Sequence, residues 1–185
     1  MYRNKRRTRI CVLSFDSRIA ETIEFNREVM KSAGRIIISV VLTLGVGLLA
    51  SFATQAGVTD WYPTINKPFF NPPNWLFAPV WTTLYILMGI AAGMIWNMGI
   101  ERFQVRQALT FFVLQLILNG IWSFLFFYFE SPGWAFLELL ILWLTIFITI
   151  KKCGQLSKPA MWMLVPYLAW VSFAGVLNGS IWWLN

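Results

Sequence analysis

Gln115, Asn119 and Ser123 recur at i, i+4 and i+8, a spacing that puts them in one polar stripe on a helix, with Trp122 at its border. Pro166, Trp170, Ala174 and Asn178 make a second stripe at the same spacing. Amides donate and accept hydrogen bonds, and indole faces stack on conjugated rings. Such stripes have two uses. They can bind one another and hold helices together. They can also line a pocket for a flat, largely apolar ligand with a few polar atoms. Trp81, Trp122, Trp143 and Trp170 lie away from the ends of their apolar runs, so an interfacial aromatic belt does not explain them.

Other chemistry is excluded by residue type. The chain has no histidine, which removes His-ligated metals, His-based triads and His proton relays. Cys11 and Cys153 are too few for a Cys-rich metal site and give no disulfide framework. Glu138 sits five residues into an apolar run, at a depth of about 7 Å. It can snorkel outward or pair with Lys67 or nearby backbone. No series of acids and bases crosses the bilayer, which counts against a proton-driven pump, and there is no inverted repeat of the secondary-transporter kind.

The elements that must position these residues are membrane spans. Of the 185 residues, 58% are hydrophobic and 12% charged, against about 25% charged in an ordinary soluble domain. A bilayer core needs about 20 apolar residues per helix, and five runs qualify: 35–57, 75–98, 106–129, 133–150 and 159–184. Only the first connection is long, so consecutive helices are antiparallel neighbours in an all-α bundle. The net charge of +7 would suggest nucleic acid in a soluble protein, but its distribution points to membrane topology instead. Lys31, Arg35, Arg102, Arg106, Lys151, Lys152 and Lys158 share one side, and only Lys67 lies on the other. That asymmetry predicts a cytoplasmic N-terminus, with the long first loop and C-terminus outside. Trp61, Trp75, Trp134, Trp182 and Trp183 fall at the outer interface, and Trp96 and Trp162 near the inner one.

Small residues at four-residue spacing (Gly89 and Gly93, Gly175 and Gly179, Ala53 and Gly57) read first as packing within the chain and second as homodimer contacts. Pro79 and Pro166 each remove a backbone hydrogen bond, and a kink at Pro166 beside Trp170 can open space for a ligand. Residues 1–29 are a basic extension. They read either as a mis-called start, with Met30 as the true one, or as a mostly disordered arm beside an anionic membrane surface. Residues 30–185 are the five-helix unit.

The first loop runs from Trp61 to Trp75 with four prolines, Pro63, Pro68, Pro72 and Pro73. A stiff, aromatic loop over a helical bundle reads as a lid. Its pattern W-Y-x-x-x-x-K-P-x-F-x-P-P, followed by Val80-Trp81 and Leu84-Tyr85, resembles the translocator protein family (TspO, the peripheral-type benzodiazepine receptor). Asn119-Gly120-Ile121-Trp122-Ser123 and the stretch from Leu164 to Ala174, with Leu177-Asn178, resemble the family's other signatures. The resemblance covers about Met30 to Asn185.

The resemblance implies a five-helix bundle, often a homodimer, with a ligand pocket open toward the first loop. It implies porphyrins such as protoporphyrin IX and haem, and benzodiazepine-site compounds, as ligands rather than cofactors. Carried over by motif, the pocket residues are Trp61, Tyr62, Trp81, Tyr85, Asn119, Trp122, Trp170 and Ala174. Light-dependent porphyrin degradation by some bacterial members would fall on Trp61 and Trp170. A sterol motif needs a basic residue shortly after Tyr; none follows Tyr167, which counts against sterol binding. The implied role is a tetrapyrrole sensor, scavenger or regulator in a bacterial plasma membrane. The alternatives are a transporter of porphyrins or other apolar molecules, a light-dependent porphyrin-degrading enzyme, and a dimeric scaffold in which the stripes only join helices.

Overall fold

The computed structural model describes the backbone from Asn4 to Asn185 and side chains from Glu21 onward. All its regular structure is helical: α1 (Asn4–Asp60), α2 (Phe77–Asn97), α3 (Phe103–Ser123), α4 (Pro132–Leu156) and α5 (Lys158–Leu184). Among the described residues, five helices are long and apolar enough to cross a membrane. The expected spans 75–98 and 159–184 agree with α2 and α5 to within a few residues, and 106–129 agrees with α3 together with the turn that follows it, Phe103–Tyr128. α4 outruns its apolar run of 133–150 because Lys152 carries the polar end onward, donating to Gln107 of α3 at 2.9 Å.

The chain divides into two units, residues 1–34 and Arg35–Asn185. In the first, the backbone is helical from Asn4. No glycine or proline interrupts the chain before Gly34, and Lys31 pairs with Glu28 one turn away at 2.6 Å.

In the second unit, the strongest packing joins α4 to α5, α3 to α4 and α2 to α5. Small residues set the close approaches, all within the chain. Gly89 and Gly93 of α2 lie against Val40 and Ile36 of α1, where an added Cβ would strike backbone. Gly175 and Gly179 of α5 face Leu139 and Phe136 of α4. Thr43 of α1 donates to the Tyr85 carbonyl of α2 at 2.8 Å, satisfying a hydroxyl in an apolar interior. α5 continues through Pro166 without a break.

α3 does not end as a plain helix. From Phe124 to Tyr128 its coil widens to a π turn, closed by the Phe129 N–H on the Phe124 carbonyl at 2.9 Å. The wider turn buries two consecutive side chains, Phe126 and Phe127. The end of α1 meets it there, because Gly57 has no Cβ to collide with the Phe127 backbone.

Candidate functional site

At the loop end of the bundle, aromatic rings from four elements enclose a small cavity. Tyr62 comes from the first loop, Phe77 and Trp81 from α2, Trp122, Phe126 and Phe127 from α3 and its π turn, and Trp170, Phe173, Ala174, Leu177 and Asn178 from α5. The cavity volume is about 30 Å³, the space of one water. The rings hold one another in place. Trp122 stacks on Phe126 with centroids 5.2 Å apart and planes at 19°. Trp170 lies 6.1 Å from Phe77 and 5.5 Å from Phe173. Trp81 lies 5.7 Å from Tyr85 and 6.3 Å from Tyr167.

Two amides fix the polar geometry. Trp122 Nε1 donates to Asn178 Oδ1 at 3.1 Å, and Asn178 Nδ2 donates to the Pro132 carbonyl at 2.8 Å. One asparagine thus orients an indole of the wall and ties it to the start of α4. Deeper in, the Tyr85 hydroxyl donates to Asn119 Oδ1, and Asn119 Nδ2 donates to the Tyr167 hydroxyl at 3.1 Å. This buried link joins α2, α3 and α5.

Of the eight residues expected from the sequence, Tyr62, Trp81, Trp122, Trp170 and Ala174 line the cavity. The other three stand one layer back. Trp61 packs edge-on against Phe126 at 5.6 Å, Tyr85 backs Trp81, and Asn119 ties Tyr85 to Tyr167. The stripe residues divide between helix joining and the cavity wall. Asn119 joins helices, Trp170 and Ala174 form wall, and Trp122 and Asn178 do both. Phe77, Phe126, Phe127, Phe173 and Leu177 were not singled out from sequence; Phe173 and Leu177 lie three and seven residues beyond Trp170, on the same helical face.

The first part of the loop is held at two places. The N–H groups of Trp61 and Tyr62 donate to the Gly57 carbonyl at 3.1 and 2.8 Å. The Tyr62 hydroxyl donates to Asn71 Oδ1 at 2.6 Å, and burial pushes the phenol up to about 12, so it remains a neutral donor at physiological pH. The Lys67 ammonium stands 4.8 Å from the Tyr62 ring centroid. At the second place, Asn66 and Asn185 exchange hydrogen bonds: Asn66 N–H to Asn185 Oδ1 at 2.9 Å, and Asn185 Nδ2 to the Asn66 carbonyl at 3.0 Å.

Glu138 does not behave as expected. It neither snorkels nor pairs with Lys67; its carboxylate oxygens are buried without a hydrogen-bond partner. It faces inward because α4 turns Glu138, Leu142 and Thr145 to the same buried side. Trp143, also away from the cavity, lines an open groove of about 840 Å³ on the outer face of α4 and α5. Two hydroxyls of that groove, Ser172 and Ser180, donate to carbonyls of their own helix and are committed before any ligand arrives.

The comparisons with known proteins agree with this architecture. The family model described as the TspO/MBR family matches residues 39–184. The chain is 42% identical over 144 residues to the tryptophan-rich protein TspO of Chlorobaculum tepidum, covering 78% of this chain and 91% of that one. It is 40% identical to the tryptophan-rich protein TspO of Archaeoglobus fulgidus, over 82% of this chain and 97% of that one. It is 39% identical to the translocator protein of Bos taurus, over 74% and 81%. The match runs through the first-loop motif, the α3 amide and the α5 tryptophan stripe, and the chain, an integral multi-pass membrane protein, belongs to the TspO/MBR family.

Proposed function

We propose that the protein binds porphyrins, with protoporphyrin IX or haem as ligand rather than cofactor, in the aromatic cavity beneath the first loop, and serves as a tetrapyrrole sensor, scavenger or regulator. The observation that carries this reading is the wall itself. Trp81, Trp122 and Trp170 come from three different helices and converge with Tyr62 on one space. Rings held in place by neighbouring rings and by Asn178 present flat apolar faces at little further entropic cost, which is what a conjugated macrocycle needs. Benzodiazepine-site compounds, being flat and aromatic, suit the same wall.

At about 30 Å³ the cavity is closed to a macrocycle, so the loop acts as a lid that carries Tyr62 away on entry. The reading places the protein in a bacterial plasma membrane as a homodimer, with the N-terminus cytoplasmic and the loop outside. Seven cations at one end against Lys67 at the other support that direction. Residues 1–29 stand apart as an extension, and the family match begins after them, at residue 39.

Titration of the purified protein with protoporphyrin IX in the dark, followed by tryptophan quenching with an inner-filter control, tests the reading. Saturable one-to-one quenching is expected, weakened about tenfold in Trp170→Phe, which removes the larger face and the indole N–H. Linear quenching alike in both proteins would mean that porphyrin only partitions into detergent, and would leave the wall as helix packing alone.

A further inference from the structure

We propose that Lys67 selects for ligands that carry a carboxylate beside a flat apolar body, binding that carboxylate at the mouth of the cavity. The inference rests on the porphyrin-site reading above and specifies the ligand class of that site. Lys67 is the only Lys or Arg between Arg35 and Arg102. The antiparallel order of the helices puts the loop, the end of α1, the start of α4 and the end of α5 together. Other charged groups of that end are Asp60 and Glu130, both exposed and both repelling an anion. Lys67 is thus the one cationic side chain of that end that could attract an anionic ligand.

The position of Lys67 fits the task. Its ammonium lies over the ring of Tyr62, and Tyr62 is a wall of the cavity, so one side chain links the cation to the ligand space. Among the described residues Lys67 has no ion pair. A cation resting on an aromatic face keeps most of its capacity to bind an anion, because the ring quadrupole neutralises no charge. The side chain is half-buried at the outer edge of the spans, which leaves the head group in contact with water. A carboxylate bound there stays partly hydrated while its apolar body enters the bundle, so the ligand avoids the cost of burying a charge in hydrocarbon.

The test compares protoporphyrin IX, which carries two carboxylates, with its dimethyl ester, which has the same ring and none. Each is titrated in the dark into the wild type, Lys67→Gln and Lys67→Arg at low and high salt. The wild type is expected to favour the acid about fivefold, the size of one partly exposed ion pair, with the preference shrinking as salt rises. Lys67→Gln should bind acid and ester alike at the wild-type ester affinity, and Lys67→Arg should keep the preference. Equal binding of acid and ester by the wild type, or an undiminished preference in Lys67→Gln, would overturn the assignment of Lys67 while leaving the aromatic site standing. Failure of the wild type to bind either ligand saturably would overturn the porphyrin reading, and this inference with it.

Discussion

Removing the Asn119 amide would strand two phenols at once. The amide accepts from Tyr85 and donates to Tyr167, and it is 2% exposed, so no water replaces it. Asn119→Leu is therefore expected to cost about 2–3 kcal/mol, the penalty for leaving buried polar groups unpaired, read as a lower melting temperature in detergent without ligand. A melting temperature equal to the wild type would show that the link carries no stability. Tyr62 makes a different prediction, one of pH. Its folded value lies above that of a free phenol, so the neutral form is favoured by folding and its contribution is complete below about pH 10. The loop should hold equally well across the physiological range, then loosen as pH rises from about 10 to about 12. Tyr62→Phe, which cannot ionise, should abolish that alkaline transition; a transition that persists in the variant would assign it to another group.

At the scale of elements, α1 and α2 meet through glycine. Gly89→Ala places a methyl on the backbone of Val40, which cannot yield as a flexible side chain would. A loss of about 1–3 kcal/mol is expected, whereas Gly45→Ala, whose added Cβ meets nothing, should hold or gain stability through helix propensity. Equal effects at the two positions would mean that backbone preference, not interhelical contact, governs both. Elements of this kind were legible in the sequence. Span positions follow from apolar length, which a bilayer fixes by its thickness, and small residues at four-residue spacing mark a close face whatever the partner. The π turn was not legible. Phe124-Leu125-Phe126-Phe127-Tyr128 is apolar or aromatic on every side, so no periodicity marks where the helix widens; packing against Tyr62, Trp122 and Gly57 decides it. For the same reason Phe126 and Phe127 escaped the sequence reading of the site, while the tryptophans beside amides did not. Glu138 was visible as an anomaly, but its inward direction depends on the rotation of α4, which an almost uniformly apolar helix does not reveal.

Over the whole molecule, the cavity and the loop above it are held by contacts distant in sequence. Asn66 and Asn185 are 119 residues apart, and each is the other's donor and acceptor. Neither asparagine stands in a recognisable motif, so only the folded chain reveals the pair. These bonds are exposed to water, and each contributes about 1 kcal/mol at most. The hold at Tyr62, four residues earlier, is stronger: Tyr62 is buried among Phe126 and Phe127. If the loop opens as the porphyrin reading requires, the weakly held Asn66, beside Lys67, is expected to release before the buried Tyr62. Asn185→Ala is thus expected to raise amide exchange at Asn66 about tenfold or less, since it removes the acceptor of that N–H, while exchange at Tyr62, bonded to the Gly57 carbonyl, stays as it was. The melting temperature should move little, because the bundle is held elsewhere. Protection unchanged at Asn66 would show that the latch does not restrain the loop; protection lost at Asn66 and Tyr62 together would show that the loop lifts as one rigid piece, with the indole wall exposed in a single step.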